Sequence, residues 1–230
     1  MATRRNARSG PRVGAPRPPV IARDPAPATR TDHDLEPESV FKAVDFDDLE
    51  LADRRAESAE FSRCRFRAAR LAGSRLDRVR LTDCQVERSD WSNLRAPGGT
   101  MERVTVSGSR LTGLAWTDGL LRDVSVSQSK LDLTNWRFAR FEAVELVDCS
   151  LPGADFTNAD LRGAVFTRCD LTGAKFDQAT MRGTRFRGCE LAGIGGVASW
   201  AGAVVHRDDL LELAYALAGA LGIEVDQSVS

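Results

Sequence analysis

The chain is poor in the residues from which active sites are built. Its 230 residues include only two histidines, His33 and His206, and neither sits in a motif. There is no Walker sequence, no G-x-S-x-G and no H-E-x-x-H. The five cysteines contain no C-x-x-C pair and match no zinc spacing. These absences predict no catalysis, no metal, no cofactor and no small-molecule substrate. No apolar run approaches the roughly 18 residues of a membrane span, so no membrane association is expected. The N-terminus, MATRRNARSGPRVGAPRPP, has no apolar stretch behind its basic residues and does not read as a secretory signal. A cytoplasmic location is the expectation. A net charge of −1 points to neither a polyanion nor a polycation as partner.

Residues 1–38 hold seven of the nine prolines, seven arginines and few large apolar side chains. Such a segment buries too little surface to offset its ordering entropy, which predicts disorder over 1–38.

Beyond it the chain is dominated by one rhythm. In ADFTNADLRGAVFTRCDLTGAKF, residues 154–176, a Phe or Leu returns every fifth residue. Counted in fives from Phe41 to Leu191, 31 positions follow without a slip, and 29 are large and apolar. Nine of the ten Phe and three of the four Trp fall in this register. Two residues earlier, 27 of the 31 positions are Ala, Cys, Ser, Thr, Val or Gly. A helix repeats at about 3.6 residues and a strand at 2, so a period of five fits neither. A fixed period marks a repeat architecture.

Identities recur every fourth unit: Val104, Val124 and Val144; Trp116 and Trp136; Cys149, Cys169 and Cys189. Four five-residue sides would therefore close one coil, with like residues stacked. Nearly eight coils rising about 4.8 Å each give a rod roughly 37 Å long. The units Ala154-Asp155-Phe156-Thr157-Asn158 and Ala159-Asp160-Leu161-Arg162-Gly163 resemble the pentapeptide-repeat family, whose motif is A(D/N)LXX. The resemblance implies an all-β solenoid, a right-handed quadrilateral β-helix over 39–196, with the central and the preceding small residue pointing inward.

On that geometry Trp116 and Trp136 face Val106 and Val126 across the core, which keeps each layer near constant volume. Arg54 in a small slot and Ala56 in a large one predict a frayed start before about residue 59. Pro97-Gly98-Gly99 reads as a kink. Cys64, Cys84, Cys149, Cys169 and Cys189 all take the small inward position, where Cys serves as a small apolar residue. Gly163, Gly173 and Gly183 fall at corners, and Asp155, Asp160 and Asp170 at coil edges.

After Leu191 the rhythm dissolves, and 197–230 reads as a capping or dimerisation helix with a tail. Asp209 and Glu212 suggest a capping box, and Gly222 a stop. Leu210, Leu213, Leu217 and Leu221 recur at helical spacing and form a candidate dimer interface. In gyrase-protecting members of the family, C-terminal elements join a two-fold dimer, so the resemblance implies a homodimer.

The surface carries the remaining signals. Residues 41–200 hold 23 Asp/Glu and 24 Lys/Arg, and the signs alternate along columns such as Arg63, Asp83, Arg103, Asp123 and Glu102, Arg122, Glu142, Arg162. Stacked opposite charges neutralise each other, so neither a DNA-like polyanion nor a direct nucleic-acid-binding face is expected. Leu120, Leu133 and Phe138 stand at outward phases and form a candidate partner patch. The expectation is a non-enzymatic interaction or scaffold protein that binds a protein partner. The resemblance adds one specific form: a DNA-mimicking modulator of DNA gyrase or another type II topoisomerase that confers fluoroquinolone or other antibiotic resistance.

Overall fold

The computed structural model describes residues 14–30 and 32–224. Its shape is set at the corners. From Ala43 to Gly193 every fifth residue, two after the central one, has positive φ, between 48° and 78°. Four such corners turn the chain through one closed coil. The sides between them are short strands such as Arg65–Arg67. Where hydrogen bonding continues around a corner, eight residues join, as in Arg80–Glu87, Thr100–Ser107, Leu120–Ser127 and Arg140–Val147.

Adjacent coils pair in parallel, each residue opposite its equivalent in the next coil: Leu121 with Phe141, Val124 with Val144. The Leu51 amide donates upward to the Arg70 carbonyl at 2.7 Å, and the Arg70 amide donates downward to the Leu49 carbonyl at 2.9 Å. The product is a β-solenoid of about nine turns with a single C-terminal helix.

The inward residues fill the tube. Phe46 stacks on Phe66 at 4.8 Å, Phe156 on Phe176 at 5.2 Å and Phe166 on Phe186 at 5.1 Å. These centroid separations are close to the coil rise, so ring stacking and backbone pairing share one spacing. Trp116 is fully buried and gains room from the neighbouring side as well as from the one opposite. A Cβ on Gly99 would lie 2.7 Å from its ring, and one on Gly119 2.4 Å. Its Nε1 donates to the Gly99 carbonyl at 3.1 Å. Pro97-Gly98-Gly99 is thus a regular corner, not a kink: Gly98 has φ 67° like its neighbours, and Gly99 is small because Trp116 needs the space.

The disorder expected over 1–38 is corrected for residues 14–30 and 32–38; residues 1–13 and residue 31 lie outside the described residues. Leu35 is buried, and the His33 ring lies 5.9 Å from Phe41 and 6.1 Å from Phe46. The pair closes the N-terminal mouth of the tube. Ala26–Pro27 adds a two-residue strand beneath Val44–Asp45. Composition alone missed this because the apolar surface that orders the segment belongs to the first coil. For the same reason the start is not frayed. Phe46 and Leu51 are fully buried, and Arg54 turns outward to bond Asp34 at 2.6 Å.

The C-terminal boundary also moves. The five-residue register ends at Gly196, whose φ is 74° and whose Cβ would lie 2.3 Å from the Asp177 nitrogen. Backbone passes there where a side chain would have pointed inward. Trp200 then covers the open core, 4.5 Å from Phe186 and 5.3 Å from Phe176. Val204–Val205 pairs with Arg185–Phe186 and extends the solenoid past 196. The helix runs Leu210–Ala220. Its end is as expected: Gly222 has φ 68°, and the Ile223 amide reaches the Ala218 carbonyl at 2.9 Å.

Its start is not. Asp209 and Glu212 form no capping box. The Gly188 amide donates to Asp209 Oδ2 at 2.8 Å, and the Leu191 amide to Glu212 Oε2 at 2.7 Å. In a continuing array those amides would meet carbonyls of the next coil. The two carboxylates stand in for that missing coil, and unpaired buried amides are too costly to leave.

Candidate interaction surfaces

The corners decide which side chains face out. A left-handed backbone costs an ordinary residue about 1–2 kcal/mol and suits Gly, Asn and Asp. Gly163, Gly173 and Gly183 occupy corners with φ of 77°, 67° and 78°. The edge aspartates serve the turns, each carboxylate accepting from the amide two residues on: Asp155 from Thr157 at 2.9 Å, Asp160 from Arg162 at 3.2 Å, Asp170 from Thr172 at 2.9 Å. They are structural Asx turns.

Against that background Leu133 and Phe138 stand out. They hold successive corners of one coil with φ of 56° and 60°, and are 68% and 52% exposed. The column of Leu133 is otherwise Asp53, Gly73, Asn93, Gly113, Gly153, Gly173 and Gly193. The Leu133 side chain lies over Gly153, where an added Cβ would approach its Cδ2 to 2.9 Å. The Arg137 guanidinium sits 5.9 Å from the Phe138 ring. Leu120, half-buried at the start of its strand, lies two residues past the Asp118 corner that is stacked directly beneath Phe138. The three expected patch residues thus fall on two neighbouring coils. Phe138, the one Phe outside the five-residue register, carried the signal.

The charged columns pair in part along their length. Arg103 bonds Asp83 through two contacts, 2.7 and 2.9 Å, and Arg122 bonds Glu142 at 2.8 Å. The paired guanidinium holds the Asp83 carboxyl below the usual carboxylate range. Other members depart from the column. Asp123 pairs with Arg17 of the N-terminal segment, Glu102 with the adjacent Arg103, and Arg162 with Asp160 of its own side.

The cysteines lie inside, as their phase predicted. Each thiol donates to a carbonyl of the coil below, Cys169 to Leu146 and Cys189 to Phe166, both at 3.5 Å. Burial pushes the Cys84 thiol up. No group of His, Cys, Asp or Glu among the described residues could hold a metal ion.

The C-terminal helix divides differently from the expected stripe. Leu213 turns inward and packs on the core with Ala216, so it is no exposed interface residue. Leu210, Leu217 and Leu221 are exposed, together with Leu211 and Tyr215, which the stripe left out. Asp209 and Glu212 anchor the helix by their carboxylates and so choose its inward face; helical spacing alone could not. Between the helix and the last coil runs an apolar groove of about 740 Å³, lined by Ile194, Val197, Leu211, Tyr215, Ala216 and neighbouring small residues.

The family model for pentapeptide repeats matches in eight copies over residues 59–95, 120–158 and 149–188. With the unbroken coil geometry, this places the chain in the pentapeptide-repeat family. Solved structures with similarity to it include QnrB1, a plasmid-mediated fluoroquinolone resistance protein. That likeness is 19% identical and covers 80% of this chain and 100% of that one, with a TM-score of 0.43. Another is HetL of the cyanobacterium Nostoc, a pentapeptide repeat protein involved in heterocyst differentiation regulation, with 14% identity, 71% and 92% coverage and a TM-score of 0.25. A third is a pentapeptide repeat protein of the Arabidopsis thaliana thylakoid lumen, with 14% identity, 51% and 68% coverage and a TM-score of 0.37. No match to the chain is found among curated proteins. No helix among the described residues is long and apolar enough to cross a membrane.

Proposed function

We propose that this is a non-enzymatic interaction protein whose rod presents the Leu133 and Phe138 corners to a protein partner. The observation that carries the reading is the placement of two bulky apolar side chains, exposed, in left-handed corners. They add nothing to the core and strain the backbone locally, so the fold does not explain them. We further propose a homodimer joined through the exposed face of the C-terminal helix, because Leu210, Leu217 and Leu221 are exposed on it and Leu211 and Tyr215, exposed as well, line an apolar groove beside it.

A type II topoisomerase is the narrower reading of the partner, with antibiotic resistance as its consequence. The charges alternate in sign along the columns, so such a partner would use the apolar corners rather than DNA mimicry.

The double variant Leu133→Gly/Phe138→Asn tests the patch. Relief of two strained corners stabilises the fold by about 1 kcal/mol or more, while partner binding is lost. Unchanged binding would remove the patch. Supercoiling by gyrase, with and without a fluoroquinolone, tests the narrower reading; no inhibition and no protection at micromolar protein ends it. Light scattering on Leu217→Glu/Leu221→Glu tests the dimer, and a dimeric variant would exclude the helix.

A further inference from the structure

Residues 14–22 climb one face of the rod, away from the N-terminal mouth. The Ala26 and Ala28 amides bond the Ala43 and Asp45 carbonyls at 2.8 Å. One coil higher, Arg65 Nη2 donates to the Ala22 carbonyl at 3.2 Å. Higher again, the Val20 amide donates to Asp83 Oδ1 at 3.0 Å. Two coils above that, the Arg17 amide donates to Asp123 Oδ1 at 3.1 Å, and its guanidinium to Asp123 Oδ2 at 2.8 and 2.5 Å.

The spacing is a match of two lengths. Pro16-Arg17-Pro18-Pro19-Val20 is a polyproline-II sequence, which rises about 3.1 Å per residue with three residues per turn. Arg17 and Val20 therefore share one side of that helix and lie about 9 Å apart. Asp83 and Asp123 are stacked two coils apart, about 10 Å at about 4.8 Å per coil. Prolines carry no amide donor, so the only backbone donors from 16 to 20 belong to Arg17 and Val20. Each meets one of the two carboxylates.

The receiving site is built rather than incidental. With Arg17 seated on it, Asp123 is only 6% exposed. Arg103, between the two aspartates in the column, commits its guanidinium to Asp83 and Glu102, which leaves Asp123 for Arg17.

We propose that the column Asp83–Arg103–Asp123 is a recognition track for an extended polyproline-II peptide of the form Arg-Pro-Pro-X, read at the Arg guanidinium and at the amides of Arg and X. Residues 17–20 of this chain occupy it as a resident strap. A partner segment of that chemistry binds when the strap leaves. The track is separate from the apolar corners and stands or falls without them.

The test uses the full chain and a labelled peptide copying residues 14–23, Gly-Ala-Pro-Arg-Pro-Pro-Val-Ile-Ala-Arg. In the parent chain the Val20 amide is expected to exchange at least about tenfold more slowly than in the free peptide. Arg17→Ala returns it to the free rate. A tethered segment acts at an effective concentration of order millimolar, so the added peptide should half-saturate Arg17→Ala at or below the millimolar range. The parent chain, its track occupied, binds at least about tenfold more weakly, and Arg17→Ala/Asp123→Asn returns to that weak level. The proposal is overturned if the Val20 amide is unprotected in the parent chain, or if Arg17→Ala leaves it protected. It is overturned equally if the released chain ignores the peptide, or if Asp123→Asn leaves binding unchanged.

Discussion

At the N-terminal mouth of the rod the core is closed by His33 and Leu35 from a segment that then runs up the outside wall. At the C-terminal mouth Trp200 stacks on Phe186, and the carboxylates of Asp209 and Glu212 take two amides that the next coil would have paired. Both ends add a two-residue strand, Ala26–Pro27 and Val204–Val205, to the same continuous sheet. They differ in what they leave behind. The first end lays its extra chain along the wall. The second projects a helix whose outer face is apolar and whose flank is a groove. A repeat array must be terminated at both ends. Here one end is finished within the chain, and the other is finished as a core but open as a surface.

Four changes would break or sharpen this comparison. Trp200→Ala removes the aromatic lid and should cost about 3 kcal/mol, the lower end of the aromatic-to-alanine range because one side of the ring faces the mouth. Urea unfolding reads it; a loss below about 1 kcal/mol would mean that the helix rather than Trp200 closes the core. Leu35→Ala at the other mouth should cost about 2 kcal/mol by the same measurement. A larger loss than at Trp200 would reverse the order of the two ends.

Asp209→Ala should cost about 1 kcal/mol, because the Gly188 amide loses the acceptor of a part-buried bond. Hydrogen exchange at Gly188 should accelerate. If it does not, the carboxylate is not substituting for a coil.

The smallest effect is that of pH on the strap. Burial alone would push the Asp123 carboxyl up, but its bonds to Arg17, with Arg103 nearby, hold it below the ordinary value. A carboxylate with a depressed folded pKa contributes stability above its unfolded pKa, about 3.9, and loses it as pH falls through the folded value. The Val20 amide should therefore stay protected at neutral pH and lose protection only below about pH 4. Loss near pH 6 would contradict the ion pair.

Much of the rod was legible in the chain because its rule is local. Every corner from Ala43 to Gly193 repeats one backbone state, and every coil pairs with the next in the same phase. Any stretch of coil therefore predicts the next, and the core positions of the cysteines followed from phase alone. The outward phase of Leu133 and Phe138 was legible on the same ground. What stayed hidden was whatever the rule does not generate. Phe138 and Trp200 are the only Phe and Trp outside the register, and one became an exposed corner while the other became the lid.

By itself the sequence determined the coil, its period, its stacking columns and the inward set, since these depend on residues one unit or one coil apart. The tertiary structure decided the rest. It ordered the proline-rich segment, because the surfaces that hold it belong to coils up to 106 residues away. It turned two carboxylates from helix caps into acceptors for the last coil, because unpaired amides at the end of an array outcompete those at the start of a helix for the same oxygens. It sent Leu213 inward and left Leu211 and Tyr215 outside, because those anchors fix how the helix is rotated.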